Sequence, residues 1–492
     1  TSGEDADDFS LAAGATDNST FTKAVQHGQT IIWRVSASPT TSNTSASQTS
    51  TSESSTVSCP VIDTSVGQAL GDSTTANNNT GVGYAALGAN TTGTQNTAIG
   101  GVALSANTTA NYNTAVGYQA SVNGTTGDRN TALGAYTLSS NTTGGRNVAV
   151  GYAALYQYNV TYSGADYNVA IGYNALGVTT TGANNVAVGG LALVANTTGA
   201  GNTAVGYNSL TANTTGTGNT GFGYNTLAAN TEGSQNLAIG YNALSIQTDG
   251  GGYNTAIGNF TLDNNGIGDK NVAVGYVALT QNSSGSNNVG VGYEALMLNS
   301  TGGSNTSLGD NSLYSNTSAS YNTAIGAEAL YDAARTADTD GYNTALGYNA
   351  GNTGTNDITT GNKNTLLGAS TAASAAAATN QTVIGYGASG QADNSVTLGN
   401  TSNESVFISS TVSTKPLVEL KNTTNDANSG ILKLVKDKGA AGADGDNIGI
   451  LEIVGDDAAQ TQTSFAKIVA EVSEADDTDE AGKLSLFVAE SD

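Results

Sequence analysis

Charge is scarce in this sequence, and most of what there is carries one sign. Only 11% of the 492 residues are Asp, Glu, Lys or Arg, and fourteen basic against thirty-nine acidic residues give a formal net charge of −25. A nucleic acid or an anionic membrane surface calls for a basic footprint that so few cations do not readily supply, so neither partner is expected. One cysteine, Cys59, excludes an intrachain disulfide framework and a Cys-rich metal site, and its thiol reads as buried or unreactive. The one histidine, His27, could share a metal with symmetry mates, but a solvated or capped ring is the favoured reading. Proline occurs three times, no apolar run reaches membrane-spanning length, and no signal peptide is recognisable, so membrane insertion is not expected. The chain begins at Thr1, which leaves room for upstream sequence.

What is plentiful is glycine, at 64 residues, together with one phrase written over and over. Asn202–Gly206 reads NTAVG, Asn219–Gly223 reads NTGFG and Asn236–Gly240 reads NLAIG, each seventeen residues after the last. The opening Asn recurs at 79, 96, 113, 130, 147, 168, 185, 202, 219, 236, 254, 271, 288, 305, 322, 343 and 364, and Gln381 and Ser395 continue the series. One step is eighteen, three are twenty-one and the last is fourteen. Nineteen copies over about residues 71–410 are the signature of a repeat architecture, whose units stack because none buries its apolar face alone.

Within a coil, the residue three after the Asn forms an unbroken apolar column, Val205 and Phe222 among its members, and the next residue is Gly in all nineteen copies, as at Gly206 and Gly223. The residue after the Asn shares the apolar column's face, and the one between them, usually Ala, points the other way. Eight positions after the Asn stands a second column, Leu in fourteen coils, Leu210 for example. Turns such as Asn-Thr-Thr-Gly at Asn90, Asn141, Asn196 and Asn213 follow, in which Asn and Gly tolerate positive φ. The expectation is two short strands and two turns per coil, successive coils pairing in parallel about 4.8 Å apart, in an all-β parallel β-roll or β-solenoid. So narrow a coil has a branched and a small strand face, and three chains round one axis would cover both. Either face could fill the chain's own interior. The repeated Gly marks a bend needing positive φ or a place with no room for Cβ.

The phrase N-[TV]-A-[IV]-G-Y-x-A-L, as in Asn168–Leu176 NVAIGYNAL, resembles the head repeats of trimeric autotransporter adhesins. Extended through an N-T-T-G turn, it is similar to repeats in structural and fibre proteins of marine bacteriophages. The resemblance covers about two-thirds of the chain and implies a left-handed parallel β-roll in a homotrimer. This chain departs from the adhesin repeats by three extra residues per coil, absorbed in the turn.

Four regions are expected: an attachment or anchoring segment at 1–35, which includes the apolar run Thr30–Val35 TIIWRV; a Ser/Thr-rich linker at 36–70; a repeat shaft at 71–410; and a β-rich domain at 411–492. In the last, PLVELKN, GILKLVKDK, NIGILEIVGDD, SFAKIVAEVSE and GKLSLFVAES alternate in the manner of half-buried strands. This region resembles the segment that precedes an intramolecular chaperone in phage tail fibres and tailspikes.

Catalysis needs convergent acids, bases or metal ligands, yet the repeat positions hold Asn, Thr, Ala, Gly and Tyr, so neither an enzyme nor a cofactor is expected. The acidic stretches GEDADD, ADGDN and EADDTDEAG lack the spacing of a calcium loop and read as solvated turns. The Tyr column after the Gly could offer a sugar-stacking platform, but ring stacking between coils is favoured. Paired Thr residues in the turns likewise suggest turn chemistry before an ice-binding face.

Two functional readings stand. The chain is a homotrimeric virion appendage, a tail or head fibre that adheres to a host surface, or it is a bacterial cell-surface adhesin or extracellular filament subunit. The absence of heptads and of an anchoring barrel at the acidic C-terminus favours the first. Its partners would be copies of itself, a virion or cell-surface anchor, and a host receptor, a glycan being one candidate. The three long steps, YQYNVTYSGADY, YDAARTADTDGY and GNTGTNDITTGNK, are the candidate recognition loops, with Tyr156, Tyr158, Tyr162, Arg335, Asp338 and Asp357 as contacts. Drift in length without function is the competing reading.

Overall fold

A computed structural model describes residues 76–160, 166–248, 251–333, 341–354 and 356–400, and the strands Thr64–Val66, Asn447–Asp456, Gln462–Glu474 and Ala481–Val488. Twenty strands of three residues, from β1 (Thr64–Val66) and β2 (Thr80–Val82) to β20 (Val396–Leu398), pair in parallel, each with the next along the chain. The fold is an all-β parallel β-solenoid, and there is no helix among the described residues. The register is invariant: in β9 (Thr203–Val205) and β10 (Thr220–Phe222), Thr203 lies opposite Thr220, Ala204 opposite Gly221 and Val205 opposite Phe222. The twenty-one-residue steps leave it untouched, for Val148 still meets Val169 and Thr323 still meets Thr344. At the usual interstrand spacing the ladder is about 90 Å long.

The ladder begins earlier than the Asn series. Its first strand falls inside the stretch assigned to a linker at 36–70, where Asp63–Gly67 reads DTSVG, the repeat phrase with Asp in place of Asn. The remainder of 1–70, with Thr30–Val35, His27, Cys59 and GEDADD, lies outside the described residues, as do PLVELKN, GILKLVKDK and all of ADGDN but its final Asn447. The strands Asn447–Asp456, Gln462–Glu474 and Ala481–Val488 form an antiparallel sheet in a second compact unit. There Leu451, Ile468 and Leu486 sit opposite one another, all exposed, while Val469 is buried.

The small strand face turns inward. The middle residue of every strand from β2 to the nineteenth is buried, Ala204 completely, whereas Val205 is half-buried and Phe222 is 57% exposed. The Leu column closes the interior from the opposite side, with Leu210, Leu227 and Leu244 fully buried. Two columns of buried Asn complete it. Asn219 donates its backbone N–H to Oδ1 of Asn202 at 2.9 Å and its Nδ2 to the carbonyl of Gly233 at 2.7 Å, and Asn202 does the same one coil earlier. Asn213 of the turn reaches Oδ1 of Asn196 at 2.9 Å and the Gly216 carbonyl at 3.1 Å. A buried amide needs such partners, and a ladder of identical amides supplies each with the next.

Two expectations about the backbone are corrected. The Ala-Leu segment is not a second strand: Asn208 and Leu210 have φ of 61° and 53°, so left-handed residues interrupt any extended run. Bonds to the next coil survive nonetheless, Leu210 N–H donating to the Thr226 carbonyl at 2.8 Å. Nor do the turn Asn and Gly take positive φ, which falls on the residue before the phrase Asn instead, as at Gly201, Gly218 and Gln235. Asn213 is there for its amide, and Gly216 because a Cβ would strike Asn213 Oδ1 and the Gly233 carbonyl. The phrase Gly satisfies both conditions set for it. Gly206 has φ of 134°, and a Cβ on it would overlap the carbonyl of Gly223.

Candidate functional site

With Ala, Leu and Asn spent on the interior, the coils show three outward columns on and beside the strand: mostly Thr or Val, then Val, Ile, Leu or Phe, then, in eleven of nineteen coils, Tyr. The second is a line of apolar side chains open along the solenoid, with Ile239 37% and Leu308 46% exposed. Sequence periodicity finds the column, but only the backbone shows which face is outside.

The Tyr column is a ladder of rings. Tyr207, Tyr224 and Tyr241 stack at centroid distances of 5.8 and 5.1 Å with planes 15° and 7° apart, and Tyr276 stacks on Tyr293 at 5.5 Å. Where the usual position holds Asn259, the next residue, Phe260, bridges Tyr241 and Tyr276 edge-on at 5.3 and 6.3 Å. Tyr136 makes the same substitution between Tyr118 and Tyr152. Rings that cover one another's faces present edges and hydroxyls to solvent, which is poor geometry for a pyranose stacking flat on an aromatic face. The Thr turns are similarly engaged: Oγ1 of Thr197 and of Thr214 each donate to the carbonyl of the Thr one coil on, at 3.0 and 3.1 Å.

Three of the six candidate recognition residues, Tyr156, Tyr158 and Asp357, are described, the first two in one coil and the third many coils away. Tyr156 is exposed and edges against Tyr136 at 6.5 Å. Tyr158 is 0% exposed and stands in the column that Asn141 and Asn196 occupy in other coils, so it is a core residue and not a surface contact. Beside it, Asp166 accepts the Gly145 N–H through Oδ2 at 3.1 Å. Burial pushes the Asp166 carboxyl above its ordinary range, against the lowering effect of its polar neighbours, Tyr158 first. Asp357 accepts the N–H groups of Thr353 and Gly354 at 2.5 and 2.8 Å, which makes it a turn-former. Burial, and then the Asp357 charge, raise the carboxyl of Asp332. Tyr162, Arg335 and Asp338 lie outside the described residues.

Among the described residues no three His, Cys, Asp or Glu side chains are grouped as metal ligands, and no helix is long and apolar enough to cross a membrane. The fold and its surface define a class, that of parallel β-solenoid repeat proteins with an open apolar strand face. No family model matches the chain, and no curated protein is significantly similar to it.

Proposed function

We propose that the chain is one subunit of a homotrimeric structural fibre, an appendage of a virion that attaches it to a host surface. The observation that carries the reading is the open apolar column. Nine of its members are more than a third exposed, from Ile239 at 37% to Phe222 at 57%, and a contiguous apolar stripe of that length on a soluble chain marks an interaction surface. Further copies of the same column, in the same register, are the simplest cover for so long and regular a stripe, and a closed ring of three leaves no apolar stripe free to extend the assembly. A stiff ladder of twenty strands suits a shaft that holds a binding element away from its base. The likeness of NVAIGYNAL and its turn to phage fibre repeats, and of the C-terminal strands to the segment before a fibre chaperone, favours a virion over a bacterial surface.

Sedimentation and native mass measurement are expected to give three chains per particle, and a stable monomer would overturn the assembly. Gold-labelled antibody should decorate virus particles in the source culture. Labelling confined to cell envelopes would establish the alternative, a bacterial surface adhesin or filament subunit.

A further inference from the structure

All four basic residues among the described residues of the solenoid, Arg129, Arg146, Lys270 and Lys363, occupy one coil position, the residue before the phrase Asn. Each has a Tyr at the same position one coil away: Tyr112, Tyr167, Tyr253 and Tyr342. The position is left-handed throughout, with φ of 61° and 62° at Arg129 and Arg146. Gly and Asn suit that backbone best, and the chain uses Asn184, Gly201, Gly218 and Asn287 there. Nine coils instead hold a Tyr, Arg or Lys there at a conformational cost, and such costs gather where a surface has work to do.

One segment of this line is continuous. Tyr112, Arg129, Arg146 and Tyr167 come from four successive coils. Their backbones are stacked by bonds from Tyr112 N–H to the Thr94 carbonyl, Arg129 N–H to Asn111 and Arg146 N–H to Asp128, at 3.1, 3.0 and 2.8 Å. The Arg129 guanidinium lies 5.2 Å from the Tyr112 ring centroid and that of Arg146 lies 5.6 Å from Tyr167. Two like charges on adjacent coils repel, and the one ion pair among the described residues is a loose 3.9 Å contact of Arg129 with its neighbour Asp128, both exposed. In a chain of net charge −25, two guanidinium groups on successive coils, each over an aromatic ring and only one of them loosely paired with an acid, make a local concentration of positive charge.

We propose that Tyr112, Arg129, Arg146 and Tyr167 bind an acidic polysaccharide, its carboxylate or sulfate groups engaging the guanidinium forks of Arg129 and Arg146. The fork geometry accepts either oxyanion, and the ladder spacing of about 4.8 Å lets one extended polymer run along the strip. Among the described residues of the solenoid no other two basic residues stand on successive coils, so this is where it offers a polyanion two neighbouring positive charges. The biological setting rests on the fibre reading above, in which the polymer belongs to the host surface.

The test uses the full chain with polygalacturonate, dextran sulfate and neutral dextran at low ionic strength. The protein should bind at least one of the two charged polymers, which identifies the oxyanion, and not dextran. R129N/R146N should weaken that binding at least tenfold with no loss of thermal stability, because Asn suits the left-handed backbone. K270N/K363N should change it less than twofold. No binding to either charged polymer, equal binding to dextran, unaltered binding by R129N/R146N, or an equal loss in K270N/K363N would each overturn the proposal. Particle mass is measured independently: a trimer that ignores both polymers sinks the strip alone, and a monomer that binds sinks only the assembly.

Discussion

The two faces of a single three-residue strand differ more than any two parts of the molecule. Ala204 and Val205 are neighbours, yet the first has no solvent contact and the second lies in the open column. Hydrophobicity alone would bury the larger side chain, because burial stabilises in proportion to apolar area. Space decides otherwise. The interior of a narrow coil is already taken by Leu210 and two columns of hydrogen-bonded Asn, which leaves room on the strand side for a methyl group and little more. The larger residue is therefore left to a partner, and the apolar content of the repeat is divided between folding and assembly.

That division is broken most severely at Gly206. A Val there would place Cβ on the Gly223 carbonyl and force a β-branched residue to φ of 134°. The expected cost is about 3 kcal/mol or more per chain. Thr214→Ala removes one part-buried hydrogen bond to the Thr231 carbonyl and should cost about 1 kcal/mol. Chemical denaturation of the two variants side by side checks the ranking, and equal midpoints would remove the role assigned to the Gly.

The inner and outer columns can be separated by a pair of substitutions. Ala204→Val overfills the interior and should destabilise the coil by about 1–3 kcal/mol whether or not the chain assembles. Val205→Asp should alter the stability of the isolated chain by less than about 0.5 kcal/mol, but bring like charges together wherever the columns of several copies meet. Melting curves report the first effect and sedimentation the second. A V205D chain that sediments as the unmodified protein does would show that the outer column is not the contact.

Periodicity made much of this fold legible before any coordinates. Strand positions, parallel pairing and constant register all follow from an Asn and a Gly that recur at a fixed interval, since a register slip would break every column at once. What was not legible depended on quantities that a column of letters does not carry. The inward face turned on the volume left by the Leu and Asn columns. The missing second strand turned on left-handed residues at Asn208 and Leu210, where Leu gives no sequence signal for positive φ. Tyr158 looked like a loop residue because it lies in a long step, although counting eleven places from Asn147 puts it in the buried Asn column. The Arg129–Arg146 strip emerges only from the same count in the other direction, one place before each Asn, because the two basic residues stand seventeen places apart in the chain and are brought together by the coil.

The smallest expected effect comes from the long coils, where the separation of polar outside from apolar inside is incomplete. Asp332 is partly buried and its carboxyl is raised, first by desolvation and then by the charge of Asp357. A raised folded-state value means that ionisation is harder in the folded chain than in the unfolded one. The neutral acid's contribution is then fully present below the ordinary carboxylate range, about pH 4, and is lost as pH rises through the folded value. Asp332→Asn removes the ionisation and keeps the shape. The variant should melt above the unmodified protein at pH 7, and the difference should shrink to nothing as the pH falls below about 4. Asp166 is raised as well, but it accepts the Gly145 N–H and has polar neighbours that favour its charged form, so Asp166→Asn should show less gain or a loss at pH 7. A D332N melting curve offset from the unmodified protein by the same amount at pH 3 and pH 7 would mean that the Asp332 charge plays no part in the stability of the long coils.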